Sequence, residues 1–351
     1  MSTALTPTLR VSLAASAALT VGAAVAVGLG APAAARFAVS GLALAALAAV
    51  IGETIEVVGD RTGPGITGLL QSTLGNLPEL LVGIFALRQG LVEVVRATLI
   101  GSILGNALLV LGLAFLVGGL RHGTQRFDPE EPRLYGSLLL LAVGALLIPT
   151  LAHHLSIPAA HHTQALSDVA AVTLLVVYAC TIPFLLRRGA AEPTPTGTAV
   201  ALPLAVGALV AGSACTALVS DWFVAALEPA TRALGVSQTF TGLVIVAVAS
   251  NAVEHAVGVR FALRAKPAYA LSTTLASPLQ IALFLTPVLV LLSGAVGPTP
   301  LTLVFPALLV ASLGVGTLVV VVLIYDGEYT WIEGVALLAL YTIVVTAFWW
   351  G

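Results

Sequence analysis

Almost every long segment of this chain is an unbroken apolar run of about 20 residues or more, the length needed to cross the hydrocarbon core of a bilayer. Inside lipid no water satisfies backbone N–H and C=O groups, so such segments fold as helices or as closed barrels. A barrel strand alternates apolar and polar residues, and these runs do not. Helices remain. Charged residues make up 9% of the 351 residues, where a soluble domain carries about 25%, and the mean hydropathy is +1.08. The expectation is an all-α polytopic membrane protein whose main partner is the lipid bilayer. A net charge of −2 without a basic cluster gives no sign of nucleic-acid binding. Cys180 and Cys215 fall in separate runs and read as small packing residues.

The runs lie at 11–31, 37–59, 65–87, 91–119, 134–152 and 166–186, then at 199–227, 237–263, 268–293, 300–325 and 331–350. That predicts about 11 transmembrane helices. Residues 1–36 form an N-terminal transmembrane helix whose tail, Ala31-Pro32-Ala33-Ala34-Ala35, also looks like a small-residue cleavage site. Its apolar run exceeds the roughly 7–15 residues of a signal-peptide core, so a retained span is expected, with cleavage left open. Residues 37–187 and 199–351 hold five runs each, joined by a linker at 188–198 that contains Glu192-Pro193-Thr194-Pro195. An odd number of helices per half makes the halves enter the membrane from opposite sides. Two inverted five-helix repeats are a transporter architecture, with substrate sites near the midplane.

Loop charges give the orientation. With a cytoplasmic N-terminus, the inner ends hold Arg10, Arg61, Arg121, Arg126, Arg133, Arg187, Arg188, Arg260, Arg264 and Lys266, while Arg36, Arg88, Arg96 and Arg232 fall outside. That agrees with the positive-inside rule and puts the C-terminus, with Trp349 and Trp350, outside in an inner cell membrane.

Two carboxylates inside apolar runs stand at matching places. Gly75–Leu81 reads GNLPELL, and the pattern Asn-x-x-Glu returns at Asn251–Glu254. A carboxylate near the middle of a spanning helix costs roughly 2.5–3.5 kcal/mol on insertion scales, so two suggest a purpose. Asn76 precedes Ser102 by 26 residues, as Asn251 precedes Ser277, and Gly101–Asn106 aligns without gaps on Ala276–Ile281.

Asn-x-x-Glu puts an amide oxygen and a carboxylate on one helix face. Calcium takes six to eight oxygen ligands from such groups, so Glu79, Glu254, Asn76 and Asn251 are the candidate ion ligands. Two close carboxylates also bind protons when no cation holds them; proton and cation then compete for the same oxygens, as exchange demands. Ser102, Asn106, Ser277 and Gln280 are supporting polar residues that read equally as direct cation or water contacts or as interhelical hydrogen-bonding glue. His255 reads as a proton carrier or a packed neutral ring. Glu56 and Asp221, each in the run before a motif, would line the entry path and attract cations into it, or read as polar groups at a wet helix end. Pro78 and Pro278 lack a backbone donor and would expose carbonyls near the site. His153, His154, His161 and His162 share one loop and read as solvated.

These residues resemble the calcium/proton exchangers of the calcium/cation antiporter superfamily. The resemblance rests on Gly75-Asn76-Leu77-Pro78-Glu79-Leu80, on Gly101-Ser102-Ile103-Leu104-Gly105-Asn106, on Ser250-Asn251-Ala252-Val253-Glu254-His255, and on Ser277-Pro278-Leu279-Gln280-Ile281. It covers about residues 40–350 and implies eleven spans, calcium bound between the two motif glutamates, and gating by the spans that carry Glu56 and Asp221. Departures are Gly105 for a usual Ser, Gln71 for Asn, Ser250 for Gly, Ala247 for Pro and Asp221 for Glu. No acidic stretch follows the fifth repeat span.

The expected function is a secondary antiporter that exports cytosolic Ca²⁺ in exchange for H⁺ by alternating access, with both ions as cargo, no cofactor and no enzymatic activity. A homo-oligomer is compatible with the sequence. The alternatives are a Na⁺-coupled Ca²⁺ exchanger, or a Na⁺/H⁺ or Mn²⁺/H⁺ exchanger, on the same scaffold. More remote is a metal-dependent intramembrane hydrolase using Glu254 and His255, for which the His-Glu-x-x-His pattern is missing.

Overall fold

A computed structural model describes residues 7–62, 70, 74–188 and 201–349. Gln71, Trp350 and the linker from residue 189 lie outside them, and so does the side chain of Glu56. The described chain is nearly all helix. Its helices are α1 (Pro7–Gly28), α2 (Ala33–Thr62), α3 (Leu77–Arg88), α4 (Val92–His122), α5 (Glu130–His154) and α6 (Thr163–Arg188). Then come α7 (Leu202–Leu234), α8 (Gln238–Ser250), α9 (Ala252–Leu263), α10 (Pro267–Val296), α11 (Ala307–Leu323) and α12 (Trp331–Trp349). Among the described residues, 8 helices are long and apolar enough to cross a membrane, or 9 if the bent pair α8–α9 is one span. The protein is a multi-pass membrane protein.

The ends of the helices follow local chemistry. Gly235, with φ +67°, closes α7 in the left-handed conformation that side chains resist. Pro267 opens α10 where its missing N–H has no helical partner to lose. Three stretches inside the long helices widen into π-helical turns: Gly105–Val110 in α4, Thr241–Val246 in α8 and Ile281–Leu285 in α10.

Two compact units form, each drawn from both halves of the sequence. One comprises Met1–Phe85 and Ala179–Gly235; the other comprises Ala86–Tyr178 and Val236–Gly351. In the first, α2 packs along α7 and α1 along α2. Phe37 stacks on Phe223 at 4.5 Å, and Ile51, Ile55 and Leu209 bury against Leu70, Leu74 and Leu77. Helix α1 adds only the narrow stripe Leu9, Ser16 and Ala23, leaving Val11, Val21 and Val25 exposed, as suits a helix bathed in lipid. Ser12 Oγ donates to Glu53 Oε1 at 2.6 Å across the α1–α2 contact.

The second unit is built around α4, which packs against α8, α9 and α12. Glycine permits the closest approach: a Cβ on Gly101 would lie 2.6 Å from Leu243 Cα, and one on Gly242 would lie 2.7 Å from Val94 O. Close backbones of this kind are how helices associate where lipid removes the hydrophobic drive.

Each end of this unit is tied by its loops. At one, Gln125–Arg126 (β1) pairs antiparallel with Glu328–Tyr329 (β2), Tyr329 stacks on Phe115 at 4.0 Å, and the Arg133 guanidinium donates to Tyr325 O. At the other, Arg96 donates to Thr302 Oγ1 at 2.9 Å. There Leu303 N donates to Ser167 Oγ at 2.9 Å, and Phe305 N to Thr150 Oγ1 at 3.2 Å. These bonds let the extended stretch Leu301–Phe305 bury Leu301, Leu303 and Phe305.

Candidate ion site

Both Asn-x-x-Glu motifs mark the start of a helix. Asn76 sits in a turn, α3 begins at Leu77, and Glu79 stands in its first turn. Asn251 ends α8 and precedes Ala252, where α9 begins, so Glu254 again falls in the first turn. Helices α8 and α9 are bent by 64° at this break. The first turn of a helix carries free N–H groups and partial positive charge, which favour a carboxylate there. Asn followed three residues later by Glu is itself a helix-start signature, and that reading locates the breaks, which the apolar runs alone hide.

Pro78 accordingly does something other than expected. It occupies the second position of α3, where no intrahelical N–H bond is lost, instead of interrupting a continuous helix. Gly75 and Asn76 form a turn ahead of α3, and Leu80 N donates to Asn76 O at 3.0 Å. Pro278 does lie inside a helix, three residues ahead of the π-helical turn at Ile281.

Around Asn251 the structure gathers four predicted residues into one buried network. Asn251 Nδ2 donates to Ser102 Oγ and to Ala247 O, each at 2.9 Å. Asn106 Nδ2 donates to Asn251 Oδ1 at 3.0 Å and to Ser102 O at 3.1 Å. Ser277 Oγ lies at 3.5 Å from Asn251 Oδ1 and 3.4 Å from Asn106 Nδ2. Ser102, Asn106, Asn251 and Ser277 are all buried. Asn251 thus spends both amide hydrogens and part of its oxygen on neighbours. The bare amide oxygen is that of Asn106: its Oδ1 is buried without a hydrogen-bond partner among the described residues, as are Glu254 Oε2 and His255 Nε2. Buried acceptors of this kind are costly and call for a function.

The other predicted residues are placed less closely. Asn76 and Glu79 are buried in the first unit, at 4% and 3% exposure. Asp221 is exposed on α7, and Glu56 lies on α2. Gln280 is half-buried at the end of the α-helical part of α10. His153, His154, His161 and His162 are exposed. The described residues contain no group of three or more His, Cys, Asp or Glu arranged to hold a metal.

The sequence profile of the sodium/calcium exchanger proteins matches residues 32–187 and 204–350. The chain belongs to this family. It is 38% identical over 336 residues to a Ca²⁺/H⁺ antiporter of Synechocystis, covering 89% of this chain and 90% of the relative. Native YfkE, a solved structure, superposes with a TM-score of 0.83 at 32% identity, covering 96% of this chain and 99% of YfkE. The H⁺/Ca²⁺ exchanger CAX shares the fold, with a TM-score of 0.78 at 18% identity and coverage of 97% and 92%. The family match begins beyond α1 and leaves out residues 188–203, around the linker.

Proposed function

We propose that this protein is a secondary antiporter that moves Ca²⁺ in exchange for H⁺, with Glu79 and Glu254 binding calcium and protons by turns. The observation that carries the reading is the bare carboxylate oxygen of Glu254, in the first turn of a helix that starts inside the apolar region. Relatives named as Ca²⁺/H⁺ antiporters over nearly the full length support it. A carboxylate releases Ca²⁺ when protonated and takes it up when deprotonated, so one site serves both ions in turn. Asn106 offers its free amide oxygen to the ion, and Asn251, with Ser102 and Ser277, holds the start of α9 in place.

The architecture we propose has eleven spans, with α3 and α11 as short crossings and α8–α9 as one broken crossing. Two five-helix repeats follow the N-terminal helix. The π-helical turns support this, since Gly105–Val110 and Ile281–Leu285 end at the same distance beyond Ser102 and Ser277. So does the pairing of the α4–α5 loop with the α11–α12 loop, which alternate crossing puts on one side. The N-terminus is cytoplasmic in this scheme, and Glu56 and Asp221 lie on the helices that control access.

Proton-gradient-driven ⁴⁵Ca²⁺ uptake into everted vesicles tests the function. Uptake is expected with an imposed pH gradient and not with an imposed Na⁺ gradient; the reverse would make the protein a Na⁺-coupled exchanger.

A further inference from the structure

At one end of the second unit the basic side chains stand without acidic partners. Helix α4 ends in Arg121 and His122. Helix α9 carries Arg260 in its last turn, Arg264 follows it, and Lys266 stands just ahead of α10. The two helix ends meet, with His122 Nε2 at 3.1 Å from Leu263 O. Arg121, Arg260, Arg264 and Lys266 are exposed, and none forms an ion pair among the described residues, whereas Arg96, Arg126 and Arg232 each do.

The carboxylates of this end are engaged elsewhere. No acidic residue stands between Glu254 and Asp326. Glu131 accepts from Tyr135 at 2.6 Å and from Ser272 at 3.1 Å. Glu328 pairs with Arg126, and Glu333 accepts from the Thr330 hydroxyl at 2.9 Å.

The cations also border an apolar surface. Leu120 and Leu263, the chain neighbours of Arg121 and Arg264, are exposed, and so is Tyr269. The Tyr269 ring lies 5.5 Å from that of Phe261, and Lys266 Nζ lies 5.5 Å from the centre of the Tyr269 ring. An exposed tyrosine at the end of a spanning helix sits at the level of the lipid headgroups. Unpaired cations beside an apolar surface at that level suit a molecule with an anionic head and apolar tails.

We propose that Arg121, Arg260, Arg264 and Lys266 bind the headgroup of an anionic phospholipid, whose chains lie along Leu120, Leu263 and Tyr269. Guanidinium groups donate paired N–H bonds to phosphate oxygens, and the ammonium of Lys266 adds a point charge. Clusters of four or more cations beside a spanning helix recognise anionic lipids. A free phosphate ester would use the cations and leave the apolar surface bare. The site is separate from the ion ligands, since Arg260 and Arg264 stand about 9 and 15 Å beyond Glu254 along the chain of α9. It holds whichever ions are carried.

The test is thermal unfolding of the full-length protein in an uncharged detergent, with phosphatidylglycerol, phosphatidylcholine or glycerol phosphate titrated in. Phosphatidylglycerol is expected to raise the melting temperature, and the other two to leave it unchanged. A cation near an anionic lipid surface is worth about 5-fold in binding. R260Q/R264Q should therefore need about 25-fold more phosphatidylglycerol for the same rise. R126Q/R232Q removes as much charge from side chains that already have carboxylate partners, and it should titrate like wild type. The proposal is overturned if phosphatidylcholine stabilises equally, or if glycerol phosphate reproduces the effect. It is also overturned if R260Q/R264Q titrates like wild type, or if R126Q/R232Q loses as much. Should R260Q/R264Q fail to fold, K266Q changes one exposed side chain between helices and should need about 5-fold more lipid; an unchanged titration of K266Q overturns the proposal as well.

Discussion

Helices α3 and α9 begin in the same way and differ in a residue that stands between the Asn and the Glu. Each has an Asn at its entrance and a Glu in its first turn. Between them α3 carries Pro78, whose ring sets φ near the helical value before any neighbour is involved. Helix α9 has Val253 at that place and leans instead on Ser102, Asn106 and Ser277, which grip Asn251. The α3 start has a constraint in its own backbone that the α9 start lacks, and the bonds that hold Asn251 come from other helices. A bond network can rearrange when an ion or proton arrives, and a proline ring cannot. The α9 side is thus the natural place for ion binding to be felt as a structural change.

The largest expected effect treats the two helices alike. Glu79→Gln or Glu254→Gln should each lower proton-driven ⁴⁵Ca²⁺ uptake by at least about 100-fold, the upper end of what even an outer partner of a metal ligand is worth. Wild-type transport in both variants would remove the glutamates from the mechanism. The same carboxylates set the sign of the pH dependence. Protons and Ca²⁺ compete for them, so calcium should raise the melting temperature more at about pH 8 than at about pH 5.5, nearer the carboxylate range. A calcium-induced shift equal at both values, measured by thermal unfolding in detergent, would break the link between the ions.

The comparison between the helix starts is sharpened by two smaller changes. Asn106→Ala removes the donor to Asn251 Oδ1 and to Ser102 O, and each orphaned buried group costs about 1–3 kcal/mol. Thermal unfolding should fall accordingly, and calcium should protect the variant less than it protects wild type. Pro78→Ala should cost only about 0.4–1 kcal/mol, the usual value of a proline in a compatible backbone, with calcium protection retained. If Pro78→Ala loses that protection and Asn106→Ala keeps it, the roles of the two helices are reversed.

Much of this was legible from residue types alone. Runs of apolar residues announce helices because lipid allows little else, and two carboxylates in such runs stand out against their insertion cost. The network around Asn251 was half legible: Ser102, Asn106 and Ser277 are polar residues at repeated spacing, but spacing does not say that Asn106 holds Asn251. Two features escaped. The helix starts at Leu77 and Ala252 were hidden because neither is marked by a change of hydropathy, though Asn-x-x-Glu as a helix-start signal points to them. The loop Leu301–Phe305 reads as one more piece of an apolar run; its extended backbone is satisfied by the hydroxyls of Ser293, Ser167 and Thr150, the last two far away in sequence.

The smallest effect belongs to a contact remote from both helix starts. Arg126 pairs with Glu328 at 3.3 Å across the β1–β2 ribbon, with the arginine side chain 85% exposed. Solvent screens a pair so open, and Arg126→Ala should cost less than about 0.5 kcal/mol. The ribbon itself is held by backbone pairing and by Tyr329 stacked on Phe115, neither of which the substitution touches. Calcium protection and proton-driven uptake should match wild type. If Arg126→Ala instead weakens calcium protection as Asn106→Ala does, then the loops at this end of the unit also sense the ion. The contrast between α3 and α9 would then describe one part of a larger moving body.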